Sequence, residues 1–207
     1  IHRLTGLPWV VDFRDAWTGG EFDRAPSRAH RWLACTLQQH FIHRATHVIA
    51  VSQDIADGLT DTLPGAPPIT VITNGYDSAD FAFPVDRAPA NKFILTYCGA
   101  LNAARNPEPL FQALHRMSAQ QTNLADLLEV RLIGEDLGLS VVTLIRKYKI
   151  QHLVTHFGYL THEKAVTQIL AANALVLFIT SESHQVKGVP TGKIYEYLAS
   201  GKPILAI

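Results

Sequence analysis

Eight short apolar runs, each rich in β-branched residues, recur along the 207-residue chain and alternate with stretches of helical character. Most of them are continuously apolar, which is typical of strands that are covered on both faces. Such alternation predicts an α/β fold built from doubly wound parallel sheets. The predicted strands lie at 8–13, 47–52, 69–75, 93–99, 129–134, 154–159, 174–180 and 203–207.

The intervening stretches carry recognisable helix boundaries. Ser52 followed by Asp54 gives a capping residue and a first-turn acid, and Asn106-Pro107-Glu108 does the same with proline at the first helical position. A helix across 192–200 is predicted to stop at Gly201, because glycine ends helices readily.

Prolines and charges interrupt the alternation at 83–91, FPVDRAPAN, where we predict a linker between two α/β units. The predicted boundaries are 1–85 for the first unit, 86–91 for the linker and 92–207 for the second. The sequence begins just ahead of one predicted strand and stops inside another, so we expect a fragment truncated at both ends, which would leave the stability of the chain in question.

Composition excludes several classes of protein. With a net charge of zero, the chain lacks the clustered basic face expected of a nucleic-acid-binding protein. No apolar run approaches the roughly 18 residues of a spanning helix, and no signal peptide opens the sequence. The two cysteines are far apart and predict neither a disulfide framework nor a metal site, which favours a cytoplasmic protein.

The segment 188–207, GVPTGKIYEYLASGKPILAI, carries the strongest chemical signal. A helix beginning near Gly192 would present free backbone N–H groups suited to a phosphate. Lys193 and Glu196 would share a face of its first turns and could serve a diphosphate and a ribose. A surface helix with an ion pair between these two residues explains the pattern equally well. The spacing does not fit a phosphate-binding P-loop.

Together with several other segments, this pattern resembles family 4 glycosyltransferases of the two-domain B fold, in the branch that makes bacterial surface polysaccharides. The similar segments are LPWVVDFRDAW (7–17), HVIAVS (47–52), VITNGYD (71–77), LTYCGALNAARNPEPLFQAL (95–114), RLIGED (131–136), HFGYLTHEKAV (156–166) and the segment at 188–207. The resemblance covers nearly the whole chain and implies two Rossmann-like domains.

The resemblance also implies donor-binding residues. Glu196 matches the acid that binds the donor ribose, and Gly99 matches the glycine that lets the backbone approach the diphosphate. Arg105 lies close to the family's basic residue, and Lys193 could replace a second arginine that is absent at position 100. Gly158 and Tyr159 lie where the nucleobase is received. The first acid of the family's paired glutamates would fall at Gly188 and is absent here.

Asp12, Arg14 and Asp15 crowd the carboxyl end of a predicted strand, where open α/β sheets bind ligands. The resemblance makes them catalytic candidates on the acceptor side, while a structural ion pair remains the alternative. Trp17 beside them could stack on a sugar ring or simply pack in the core.

A basic amphipathic stretch at 24–44 has Leu33, Leu37 and Phe41 at helical spacing. Such a helix could lie peripherally on the anionic inner face of a membrane. The sequence favours the other interpretation, in which this apolar stripe covers the sheet.

The resemblance therefore implies a retaining glycosyltransferase that moves a sugar from a nucleoside-diphosphate-sugar to a glycan or lipid-linked acceptor, in the cleft between two domains. It implies no cofactor and no metal. The alternatives are a nucleotide-sugar epimerase of the same fold and an inactive donor-binding fragment, and we expect the fragment alone to be inactive. An oxidoreductase is disfavoured, because no G-x-G-x-x-G opens a helix.

Overall fold

A computed structural model describes residues 2–18, 25–82, 91–179 and 192–207 of the chain. The chain divides into two compact units. In their described parts, the first contains residues 2–18 and 25–74, and the second contains residues 75–82, 91–179 and 192–207. All eight predicted strands are confirmed. Each begins within two residues, and ends within four residues, of the predicted position.

The first unit is built on a three-stranded parallel sheet in the order β1-β2-β3. The strands are β1 (Val10–Phe13), β2 (His47–Ala50) and β3 (Ile69–Val71), and the helices are α1 (His2–Thr5), α2 (Arg28–Ile42) and α3 (Gln53–Thr62). The predicted cap of α3 is confirmed, since the Ser52 side chain accepts a hydrogen bond from the backbone N–H of Ile55.

The second unit contains a five-stranded parallel sheet in the order β6-β5-β4-β7-β8. Its strands are β4 (Phe93–Cys98), β5 (Leu128–Ile133), β6 (Val154–Gly158), β7 (Ala174–Leu177) and β8 (Ile204–Ala206). Its helices are a short 3-10 helix (Ser78–Phe81), α4 (Glu108–Gln120), α5 (Leu124–Leu127), α6 (Val141–Lys147), α7 (His162–Ala171) and α8 (Gly192–Ala199). The order of the strands reverses between β4 and β7, and ligands of open α/β sheets bind at such a switch point.

Helices cover both faces of this sheet, as the continuous apolar strands predicted. On one face, Leu95 and Tyr97 of β4 pack with Phe111 of α4 and Ile145 of α6. On the other, Ile94 packs with Ile169 of α7 and Tyr197 of α8. Successive residues of β4 therefore face opposite sides, which decides how α8 reaches the end of that strand.

Two of the predicted helix boundaries, at α8 and α4, lie among the described residues. Helix α8 ends as expected, and Gly201 adopts a φ of +66° just beyond it. At α4 the proline lies one position earlier than predicted, at the cap itself, and the Asn106 side chain accepts a hydrogen bond from the N–H of Glu108.

The interpretation that the apolar stripe of α2 covers the sheet is wrong for the described residues. Leu33, Leu37 and Phe41 are 49%, 39% and 41% exposed, whereas Gln38 and Ile42 are buried. Each residue of the stripe precedes a residue of the inward face by one position, about 100° of helix rotation. Phe41 instead contacts two tryptophans, Trp9 edge-on and Trp17 in a stacked arrangement.

The predicted linker between the two units, at 86–91, stays a prediction. Residues 75–82 group with the second unit rather than the first. Within that unit, Asp80 of the 3-10 helix contacts His162 at the start of α7, with 2.7 Å between Oδ2 and Nε2. Most of the predicted linker, positions 86–90, lies outside the described residues.

Candidate functional site

Three glycines end three adjacent strands of the second unit at the same edge of the sheet. Gly99 follows β4, Gly134 follows β5, and Gly158 ends β6. All three have a positive φ, at +146°, +133° and +67°. Residues with a side chain rarely adopt such a φ, so these positions favour glycine. The backbone is therefore without side chains at these three points of the edge.

Backbone segments approach each other closely at this edge. A Cβ on Gly134 would overlap the carbonyl of Gly99, and a Cβ on Gly99 would overlap the end of the Lys193 side chain. The N–H of Gly99 donates to the carbonyl of Ile133, and the N–H of Gly134 donates to that of Gly158, each at 2.7 Å. We call Gly99, Gly134 and Gly158 the glycine edge.

Lys193 reaches this edge from the first turn of α8. Helix α8 packs on one face of the sheet, whereas the Tyr97 ring lies in the core of the other face. The lysine crosses the end of β4 above Gly99, where no Cβ obstructs it. Its ammonium donates a hydrogen bond to the Tyr97 hydroxyl at 3.1 Å and lies 4.8 Å from the centre of the Tyr97 ring. The structure therefore does not show the alternative interpretation, in which Lys193 forms an ion pair with Glu196.

Arg105 adds a second positive charge next to Lys193. It lies in the loop after β4, where its backbone N–H donates to the side chain and carbonyl of Asn102. Burial, and after it the nearby Arg105 charge, lower the pKa of Lys193 to about 8. Within the described ranges, neither cation has a carboxylate partner. Two adjacent cations that are not paired with a described carboxylate are suited to an anion such as a diphosphate.

Glu196 lies one turn further along α8, close to the same group of residues. Its charge raises the pKa of Lys193, Cys98 and His162, although in each case it is not the largest influence. The carboxylate is half-buried, and it makes no hydrogen bond or ion pair with any residue that the structure describes. A half-buried acceptor of this kind is available to donors from a ligand, such as sugar hydroxyls.

Tyr197 fixes α8 on the end of β4. Its buried hydroxyl accepts a hydrogen bond from the N–H of Cys98 at 2.9 Å and donates one to the carbonyl of the same residue at 3.4 Å. Burial raises the pKa of the Cys98 thiol to about 11, so this group stays uncharged at neutral pH. The helix that carries Lys193 and Glu196 is thereby held in register with Gly99.

The far end of the glycine edge is open. Tyr159, which follows Gly158, is 73% exposed, as suits a residue that receives a base. Between the two ends, Asp136 is structural: its carboxylate accepts from the N–H groups of Leu139 and Val141 at the start of α6. Burial opposes ionisation of Asp136, but these backbone bonds outweigh it and lower its pKa.

The predicted acceptor-side residues lie at the carboxyl end of β1 in the first unit. Arg14 pairs with Asp12 at 3.0 Å and also donates to the Asn74 side chain at 3.1 Å. Asp15 is exposed and has no hydrogen bond or ion pair among the described residues. The structural ion pair therefore involves Asp12 and Arg14 and leaves Asp15 out. Trp17 is 45% exposed and stacks on Phe41.

Sequence reasoning missed two members of the second-unit site, Tyr97 and Gly134. Tyr97 resembled an ordinary core residue of a strand, and its contact with Lys193 spans 96 positions. Gly134 could have been found, because it follows its strand in the position that Gly99 occupies after the neighbouring strand. The ligand-binding roles assigned to the site residues stay predictions.

Residues 1–75 match the family model described as the glycosyl transferase 4-like domain. Among curated proteins, glycogen synthase of Mycobacterium tuberculosis is 25% identical over 162 residues, which cover 78% of this chain and 36% of that protein. The first 75 residues are therefore similar to the acceptor-side domain model of this glycosyltransferase group, and the similarity to glycogen synthase extends over 162 residues of the chain.

Solved structures share the fold at low identity. The Anabaena protein HepE, solved in complex with UDP and glucose, is 19% identical with a TM-score of 0.67, covering 99% of this chain and 54% of that one. Sucrose-phosphate synthase from Thermosynechococcus elongatus is 20% identical with a TM-score of 0.69, covering 97% and 50%. WaaG, a glycosyltransferase involved in lipopolysaccharide biosynthesis, is 12% identical with a TM-score of 0.68, covering 97% and 57%.

These similarities establish the fold as the two-domain B fold of glycosyltransferases, with Rossmann-like parallel sheets. The chain spans about half the length of the similar structures and 36% of the glycogen synthase. In the described part of the chain, no cluster of three metal-ligating side chains occurs, and no helix has the length and hydropathy needed to cross a bilayer.

The glycine edge yields a direct prediction. Gly99→Ala should lower the free energy of unfolding by about 1–3 kcal/mol, because alanine is strained at a φ of +146°. It should also weaken binding of UDP, since the new methyl group displaces the Lys193 ammonium. Urea unfolding and calorimetric titration measure the two effects.

Gly75→Ala is the matched control for this variant, because an added Cβ there meets nothing within 4 Å. It should change stability by no more than about 0.5 kcal/mol. Equal stability and equal UDP affinity for Gly99→Ala and Gly75→Ala would contradict the assignment of Gly99 to the site.

Proposed function

We propose that this chain forms the donor-binding part and a portion of the acceptor-side part of a retaining glycosyltransferase. The observation that carries the proposal is the pair of cations, Lys193 and Arg105, which lie at the glycine edge without a carboxylate partner among the described residues. They occupy the switch point of a parallel sheet, where this class of fold binds nucleotides.

The donor is a nucleoside-diphosphate-sugar. Its diphosphate binds over Gly99, with Lys193 and Arg105 on its oxygens and the N-terminus of α8 directed toward it. Glu196 accepts hydrogen bonds from the ribose hydroxyls, and the base lies toward Gly158 and Tyr159. This arrangement places a carboxylate on the ribose and cations on the phosphates, so each charged group meets a partner that suits it.

The reaction transfers a sugar to a hydroxyl group with retention at the anomeric carbon. The bond between the anomeric carbon and the diphosphate oxygen breaks, and the acceptor oxygen bonds to the same carbon. The departing diphosphate takes the proton from the acceptor hydroxyl. Lys193 and Arg105 stabilise the charge that develops on the leaving group, which is electrostatic preorganisation by groups already in place. The two protein cations supply the charge, so the proposal includes no metal and no cofactor.

The acceptor is a glycan or a lipid-linked glycan, and its hydroxyl is positioned by the loop after β1. Asp15 is the main candidate for contact with the acceptor, because it is exposed and has no partner among the described residues. Asp12 and Arg14 hold the loop through their ion pair and the bond to Asn74. The involvement of WaaG in lipopolysaccharide biosynthesis supports an acceptor of the bacterial surface-polysaccharide class.

A lipid-linked acceptor would bring the protein to the inner face of a membrane, and α2 suits such a surface. Its described surface combines exposed Trp32, Leu33 and Leu37 with Arg28 and Arg31, and the helix has no acidic residue. Exposed apolar side chains beside basic ones favour contact with anionic lipids. We therefore propose peripheral association of a cytoplasmic protein with an anionic bilayer.

Vesicle binding tests this association. Leu33→Gln combined with Leu37→Gln should reduce co-sedimentation with phosphatidylcholine vesicles that contain phosphatidylglycerol, because the variant loses apolar area at the bilayer surface. Met117→Gln, which changes an exposed apolar residue of α4, is the control. Retention of full binding by the double variant, or equal loss in the control, would exclude α2 as the contact.

Glu196→Gln tests the donor site. In the full-length protein it should weaken binding of UDP-glucose or ADP-glucose by about 1.5–3 kcal/mol, because it removes charge-assisted hydrogen bonds to the ribose. Both donors are titrated, since they share the ribose and differ in the base. Glu163→Gln, an exposed acid in the first turn of α7, is the control. A donor affinity equal to that of the control would remove Glu196 from the ribose site.

Asp15→Ala tests the acceptor side. Turnover should fall about 100-fold or more with little change in donor affinity, because a misplaced acceptor loses orientation. Asp61→Ala, on the exposed end of α3, serves as control. The measurements are donor affinity by calorimetry and sugar transfer by product analysis, which also separates a transferase from an epimerase. A variant with normal turnover but reduced stability would show that Asp15 is only structural.

A further inference from the structure

We propose that Tyr97 is a positioning residue of the donor site: its hydroxyl and ring hold the Lys193 ammonium above Gly99, where it meets the diphosphate. This inference rests on the proposed function. Tyr97 itself is buried beneath the lysine and needs no contact with the donor, so it acts through Lys193.

The direction of the hydrogen bond between the two side chains is set by a third group. The Tyr97 hydroxyl has one proton, and it donates this proton to the carbonyl of Ala100 at 2.9 Å. Its oxygen therefore presents a lone pair to Lys193, whose Nζ donates at 3.1 Å. Burial raises the pKa of Tyr97 to about 12, so the hydroxyl keeps this proton under ordinary conditions.

The ring of Tyr97 is held as firmly as its hydroxyl. It is 1% exposed and packs against Phe178, with 4.6 Å between ring centres and an angle of 43° between the planes. The Lys193 ammonium lies 4.8 Å from the centre of the same ring, within the range of a cation–π contact. Tyr97 thus offers two attractive contacts to the ammonium from a side chain that is buried and packed against Phe178.

A lysine at this position needs such support. Its four-carbon side chain is flexible, and Arg105 repels it. The titratable groups that influence its pKa are Arg105, Cys98 and Glu196, and none of them donates to or accepts from its ammonium. A carboxylate partner would hold the ammonium equally well but would neutralise it. The uncharged phenol fixes its position and leaves its charge for the ligand.

A double-mutant cycle tests this inference with UDP, and with ADP in parallel, as probes in the full-length protein. Tyr97→Phe keeps the ring and removes the hydroxyl, and Lys193→Met removes the charge while keeping most of the side-chain length. Tyr97→Phe should weaken the tighter-binding nucleotide about three- to ten-fold, the range expected for one hydrogen bond. In the Lys193→Met background the same change should have less than about a two-fold effect.

Tyr148→Phe is the matched control, because it also removes a phenol hydroxyl that is hydrogen-bonded, to Glu108, in the same unit. It should leave nucleotide affinity unchanged. Affinity for the parent nucleoside, which has no phosphate, should not respond to Tyr97→Phe. A purely structural tyrosine would instead lower stability and weaken nucleoside and nucleotide binding alike.

The possible failures are distinguishable. If Lys193→Met weakens nucleotide binding but Tyr97→Phe has no effect, or the same effect in both backgrounds, the positioning role is overturned and the donor site stands. If Lys193→Met leaves the affinity for both nucleotides unchanged, or neither nucleotide binds to the unaltered protein, the donor site and the positioning role are overturned together.

Discussion

The close approach of backbone and side chain above Gly99 is the constraint on which the candidate site depends. Strand β4 ends there, and Gly134 lies against the carbonyl of Gly99. The Lys193 side chain crosses over Gly99 from α8, which packs on the face of the sheet opposite to the Tyr97 ring. A side chain at position 99 would separate these groups. The positive φ at both glycines shows that the conformation of the chain, and not only the available space, favours glycine.

Around this point the charged side chains of Lys193, Arg105 and Glu196 are not paired with one another among the described residues. Elsewhere in the second unit, several charged side chains are paired, as in Arg131–Glu129 and Lys147–Glu108. At the glycine edge, Lys193 donates to a phenol, and Glu196 on the same helix has no partner among the described residues. Partial burial makes such isolated charges costly, and a bound diphosphate and ribose would offset that cost.

The strands and their parallel pairing were predictable from the sequence, because continuous apolar runs and helix caps are local signals, whereas the order of the strands in each sheet was not predicted. Gly99, Arg105, Lys193 and Glu196 were also predicted, and the structure brings them into one unit around the end of β4. The Tyr97–Lys193 contact was not predictable, since it joins residues 96 positions apart and a strand tyrosine usually marks core. The exposed stripe of α2 was misjudged, because apolar spacing alone leaves the rotation of a helix undetermined by one residue.

The central claim is that the ammonium of Lys193 binds the donor diphosphate, and the pH dependence of UDP binding tests it most directly. As pH rises through about 8, the pKa of Lys193, the ammonium loses its proton and affinity should fall. Tyr97 and Cys98, with pKa values raised to about 12 and about 11, stay uncharged below pH 10 or so. Calorimetric affinities should decrease about ten-fold or more between about pH 7.5 and 9.5, while Lys193→Arg, which stays charged, should show no such decrease. A flat profile for the unaltered protein, or the same decrease in Lys193→Arg, would contradict the account.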